Sequence, residues 1–149
     1  MELLNKFLPR VVIINSVVHT LFETNSQFIR INGWNSFLGS GLVEAAALPA
    51  QRESAENVLA QFNKKIEWLD DIPGFITPRV VSMIINEAYL SLEENISTKQ
   101  EIDTAMKLGT NYPYGPFEWA EKIGPATVRQ LLEKLNASSS RYRPSQLLK

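Results

Sequence analysis

Hydrophobic periodicity changes in the middle of this chain, at Asp70-Asp71-Ile72-Pro73-Gly74, and only a two-part fold accommodates the change. Before that point short β-branched runs alternate with helical stretches. Val11-Val12-Ile13-Ile14 reads as a strand buried on both faces. Residues 28–31 and 42–45 read as further strands, and 65–69 as a short one. Residues 3–8 read as a short helix ended by Pro9. Residues 53–62 read as a helix with Ala55, Val58, Leu59 and Phe62 on one face. Strand–helix–strand grammar of this kind predicts a fragment of a parallel sheet.

After Asp70 the pattern is helical throughout. Val80, Val81, Ile84, Ile85, Ala88, Tyr89 and Leu92 follow an i, i+4 rhythm, and Met83 and Leu90 widen the stripe. A helix apolar over so much of its circumference is a central helix or half of a subunit interface. Pro73-Gly74 supplies the preceding turn, with Thr77 as N-cap and Pro78 as first helical residue. Thr98-x-x-Glu101 is a capping box, opening a helix that Gly109 is expected to close. Pro116 and Pro125 each follow a glycine and suit first helical positions. Residues 117–123 read as a turn, and the final helix carries Val128, Leu131, Leu132 and Leu135. The reading is residues 1–70 as an α/β lobe and 71–149 as an all-α lobe.

Composition narrows the function classes. A net charge of −1 argues against nucleic-acid and membrane-surface binding, which need clustered Lys and Arg. The chain has no cysteine, which removes disulfides, thiolate metal ligands and thiol nucleophiles. With no apolar run of signal-peptide or membrane-spanning length, the expected location is cytoplasmic.

Few residues carry chemistry. Gly39-Ser40-Gly41 invites a dinucleotide-loop reading, but Glu44 stands where the third glycine of G-x-G-x-x-G belongs, and a carboxylate repels pyrophosphate. His19 is the only histidine, so any imidazole base must be this residue. Glu101 and Asp103 are two apart and point to different sides of a helix. Lys99 and Lys107 flank Asp103 at four residues each way, which suggests a solvated, ion-paired face. The stretch from Tyr112 to Trp119 is either an aromatic binding surface or a packed corner.

In the second half Pro73-Gly74-Phe75-Ile76, Asn86-Glu87-Ala88, Glu93-Glu94, Ile102-Asp103-x-Ala105-Met106-x-Leu108-Gly109, Pro113-x-Gly115-Pro116-Phe117-Glu118 and Tyr142-x-Pro144-Ser145-x-Leu147-Leu148 occur in order. This run resembles the C-terminal domain of 3-hydroxyacyl-CoA dehydrogenases. The first half more faintly resembles the end of that family's NAD-binding domain, in "IINSVVHTL" and "INGWNSFLGSGLVE". The resemblance implies a partial Rossmann-like parallel sheet, lacking the glycine-rich loop, followed by a 6-phosphogluconate dehydrogenase C-terminal-like helical domain. It also implies a mechanism in which a histidine takes the 3-hydroxyl proton while C3 passes hydride to NAD. A glutamate orients that histidine, and a serine and an asparagine hold substrate.

Carried over residue by residue, the glutamate is Glu44 and is present. The histidine position is Asn32, the serine position Val17 beside Ser16, and the asparagine position Pro78. Ser16 and Asn35 are the remaining candidate substrate contacts. The resemblance thus implies a catalytically impaired relative, with NAD as the family's cofactor, an acyl-CoA as ligand and a homodimer through the helical lobe. Two other readings stay open: an active NAD-dependent oxidoreductase using His19 with Glu44, its nucleotide site supplied by a partner, and an interaction module without ligand.

Overall fold

The structure, a computed structural model, describes residues 2–149. These residues form two compact units, one ending at Pro78 and one spanning Arg79–Lys149. The division falls several residues beyond the change of period, because the turn after Asp70 is bonded into the sheet unit. Leu21 N–H donates to Asp71, and Gly74 N–H donates to the carbonyl of Val17 at 2.8 Å.

The first unit contains α1 (Glu2–Asn5), β1 (Ile13–Asn15), β2 (Ile29–Ile31), β3 (Leu42–Ala46), α2 (Pro49–Ala60) and β4 (Lys65–Trp68). The strands lie in the order β1-β2-β3-β4. β1 pairs parallel to β2 and β3 parallel to β4, but β2 pairs antiparallel to β3, with Arg30 opposite Ala46 and Ile31 opposite Ala45. The sheet is therefore mixed, where a parallel one was expected. The connection between β2 and β3, residues 32–41, is shorter than the dozen or so residues a parallel crossover needs, so the chain returns in the opposite sense.

Alternation along the strands divides the apolar residues between the two faces. Val12 and Phe28 pack with Leu21 on one face, and Ile29 packs with Ala47 and Ala55 on the other. Helix α2 starts earlier than its apolar spacing suggests, because Pro49 occupies a first-turn position. It buries Ala55 and Leu59 but ends at Ala60, which leaves Phe62 67% exposed.

In the second unit α3 (Thr77–Glu93, beginning in the sheet unit) is followed by α4 (Lys99–Thr110), α5 (Pro116–Ile123) and α6 (Pro125–Asn136). Along α3, Val81, Ile85, Ala88 and Tyr89 are buried. The Thr98/Glu101 capping box opens α4 as expected. The helix passes through Gly109, and Asn111 closes it in the left-handed conformation (φ 56°), a geometry asparagine tolerates. Residues 117–123 are helical rather than a turn, with Pro116 in first position.

Asp103 is buried, not solvated: its carboxylate accepts from Phe117 N–H (2.8 Å) and Glu118 N–H (3.2 Å) and so caps α5. Lys107 pairs with Glu118, while the ammonium of Lys99 lies over the rings of Tyr89 and Phe117. The aromatic stretch forms a packed corner, Tyr112 and Tyr114 lying 5.3 and 6.3 Å from Trp119.

The tail folds back on this unit. Asn86 donates to the carbonyl of Arg143 (2.9 Å) and accepts from Ser145 N–H (2.8 Å). Glu93 accepts from the Ser145 hydroxyl and Leu147 N–H, and Arg129 donates to the carbonyl of Leu148. The motifs around Asn86, Glu93 and Ser145 are thus the two halves of one structural tie. Among the described residues no helix is long and apolar enough to cross a membrane.

Candidate functional site

The first unit brings Asn32 and Glu44 together on one face of the sheet. Asn32 lies just past β2, where its N–H donates to the carbonyl of Glu44 (2.9 Å) and continues the ladder. Its side chain donates to Glu44 Oε2 at 3.1 Å, and its Oδ1 accepts from Trp34 N–H at 3.3 Å. Glu44 Oε1 accepts from both the N–H and the hydroxyl of Thr77, each at 2.8 Å. Helix α3 is therefore capped at its start by Glu44, with Thr77 inside the helix rather than as its N-cap. Three donors and the positive end of a helix dipole converge on this one carboxylate.

Asn32, Glu44 and Thr77 line a cavity of about 300 Å³ together with Phe37, Glu67 and Ile76. Glu67 stands opposite Glu44 in the β3–β4 register, so the floor of the cavity is acidic. Residue 32 is an amide, with no basic nitrogen near neutral pH. The arrangement can hydrogen-bond a ligand, but position 32 cannot take a proton from one.

The other candidates lie apart from this pair. His19 is exposed; its backbone carbonyl accepts from the Ser16 hydroxyl at 2.8 Å, and no hydrogen bond joins its ring to Glu44 among the described residues. Val17 is buried, and its carbonyl accepts from Gly74 N–H and from Arg30. Asn35 is exposed, and Pro78 is fully buried in the first turn of α3. Gly39-Ser40-Gly41 runs directly into β3, and a Cβ on either glycine would meet open space. No helix N-terminus follows those glycines, which lead straight into a strand, so these residues do not fit the pyrophosphate of NAD.

Arg30 is the organising residue that sequence patterning missed. It is fully buried on the Phe28 face and donates to the carbonyls of Ser16, Val17 and Ile72 and to Asp71 Oδ1 at 2.7 Å. Its guanidinium lies 4.2 Å from the centre of the Phe75 ring. Burial pulls its pKa below the ordinary arginine value, opposed by the hydrogen bond and charge of Asp71. One side chain thereby joins the loop after β1 to the turn that delivers Thr77 to Glu44. The available signal was a charged residue between Ile29 and Ile31 in a short strand, which requires a counterion.

Known proteins share this architecture. The 3-hydroxyacyl-CoA dehydrogenase C-terminal domain family matches residues 74–149. A 3-hydroxyadipyl-CoA dehydrogenase of Escherichia coli K12 is 44% identical over 93 residues, 61% of this chain and 20% of that protein. A 3-hydroxybutyryl-CoA dehydrogenase of Bradyrhizobium diazoefficiens is 37% identical over 128 residues, 82% of this chain and 44% of that protein. The chain thus spans less than half the length of these curated relatives. The crystal structure of an E. coli 3-hydroxybutyryl-CoA dehydrogenase superposes with a TM-score of 0.82 at 33% identity, covering 94% of this chain and 31% of that one. The small sheet followed by helices, the motif run and the match over residues 74–149 agree: the chain belongs to the 3-hydroxyacyl-CoA dehydrogenase family.

Proposed function

We propose that this chain is a 3-hydroxyacyl-CoA dehydrogenase-family protein that lacks its own proton acceptor and serves in acyl-CoA metabolism by binding an acyl-CoA and dimerising. The observation that carries the reading is the hydrogen bond from the Asn32 amide to Glu44 Oε2. It occupies the position where the family resemblance implies a histidine oriented by that glutamate. Losing a general base costs about two to four orders of magnitude in rate. Pro78 at the implied asparagine position removes a second substrate contact while keeping the helix start. The glycine pair leads straight into β3 with no helix after it and so does not suit a pyrophosphate, and no step is assigned through NAD.

Dimerisation is supported within the helical unit. Met83, Ile84 and Ala88 of α3 with Ile102 and Met106 of α4 line an apolar groove of about 390 Å³, and a second copy of this chain is the occupant proposed. Ile84→Glu should abolish assembly in sedimentation; a wild-type monomer at high concentration would refute this part.

The purified chain should show no NADH-dependent reduction of acetoacetyl-CoA, and calorimetric titration should detect acyl-CoA binding. The double variant Asn32→His with Pro78→Asn should bind acyl-CoA more tightly while NAD turnover stays weak. Ordinary dehydrogenase activity in the wild-type chain would overturn the impairment. Unchanged acyl-CoA binding in a folded double variant would favour a ligand-free interaction module.

A further inference from the structure

We propose that Asn32-Gly33 is a chemical modification site held silent by the fold, with Asn15 as its guard. An asparagine followed by glycine is the sequence most open to deamidation, because no side chain shields the following peptide nitrogen. That nitrogen attacks Asn32 Cγ and forms the new C–N bond. The side-chain nitrogen leaves as ammonia, taking the proton displaced from Gly33 N–H. Water then opens the succinimide at either carbonyl, giving aspartate or isoaspartate.

In the folded chain the attacking nitrogen and both polar atoms of the attacked amide have hydrogen-bond partners. Gly33 N–H donates to Asn15 Oδ1 at 3.0 Å, and Gly33 C=O accepts from Asn15 Nδ2 at 3.2 Å. The attacked group is held at both ends, Nδ2 by Glu44 and Oδ1 by Trp34 N–H, and Asn32 is only 5% exposed. The same asparagine explains why glycine occupies position 33. A Cβ there would lie 2.7 Å from Asn15 Cγ, so a shielding side chain is sterically excluded. The close approach that forbids a protective side chain supplies the protection itself.

The consequence is a chain that ages when it opens. Aspartate at position 32 puts a second carboxylate against Glu44, and isoaspartate adds a backbone atom at the end of β2. Either product loses the hydrogen bond on which the site depends.

The test follows the tryptic peptide 31–52 by mass spectrometry and fragmentation at mildly alkaline pH, with Asn35-Ser36 in the same peptide as internal reference. The folded wild-type chain should keep Asn32 intact, and the same chain in denaturing urea should convert it at least about tenfold faster, as expected when reaction requires opening. Asn15→Ala, shown folded by circular dichroism, should convert Asn32 several-fold faster than wild type with Asn35 unchanged. Equal rates at Asn32 in folded and denatured wild type, or no acceleration in folded Asn15→Ala, would overturn the proposal. If Asn15→Ala does not fold, hydrogen exchange at the Gly33 amide of the wild-type chain decides. Exchange as slow as at Ile31 supports the guard, and exchange at the unprotected rate refutes it.

Discussion

Replacing Asp71 with asparagine tests whether the Arg30 hub holds the sheet unit together. Removing one partner of a buried ion pair costs about 3–5 kcal/mol, because the remaining charge stays desolvated. Arg30 is completely buried, whereas the Asp71 side chain is 31% exposed. Three carbonyls and the Phe75 ring also remain on the guanidinium after the change. The cost therefore belongs near the lower end, about 3 kcal/mol. Urea titration followed by Trp34 and Trp68 fluorescence, in a Trp119→Phe background, reports this unit. With a urea slope of about 1–3 kcal/mol/M the midpoint should fall by about 1–3 M. Arg30→Met should cost as much or more, since it strips donors from the carbonyls of Ser16, Val17 and Ile72 as well as from Asp71. The double variant should be markedly less destabilised than the sum of the two, because the residues share one network. A change within about 0.5 kcal/mol for Asp71→Asn, the range of an ordinary surface substitution, would refute the hub.

The other predictions concern the helical unit. In Gly115→Ala the new Cβ would come within 2.3 Å of Asp103 Cγ and dislodge the cap of α5. It should cost about 1–2 kcal/mol, the scale of a lost cap, and add little in an Asp103→Ala background, as thermal melts of the variants would show. The Ser145 hydroxyl and then Leu147 N–H hold the Glu93 carboxyl below its ordinary pKa. A depressed folded pKa gives stabilisation that is complete above the ordinary glutamate value and lost as pH falls through the folded one. Amide exchange at Leu147 and Leu148 should therefore quicken in acid relative to α6, and Glu93→Gln should flatten that dependence.

Local chemistry determined much of this protein in advance. The period change, the capping box and the proline starts depend on neighbours within about one helical turn, so α3, α4 and α6 were readable from their own residues, while α5 was read as a turn. The motif run identified the family for the same reason, since its spacing is a property of the chain. Boundaries were less secure: Gly109 could end α4, but the helix runs on to Thr110 and Asn111 supplies the left-handed cap.

Contacts far apart in sequence were decided only in three dimensions. Whether β2 and β3 run parallel depends on the path between them, and no residue on either strand records it. Asp103 carries the same pattern of neighbouring lysines whether solvated or buried; the arrival of α5, 14 residues on, makes it a cap. Arg30 and Asp71 are 41 residues apart, and Thr77 and Glu44 are 33 apart. Residue type says only that an arginine or a carboxylate needs a partner if it is buried. Chain folding, by bringing separate segments to one face of a small sheet, chose which partners those were.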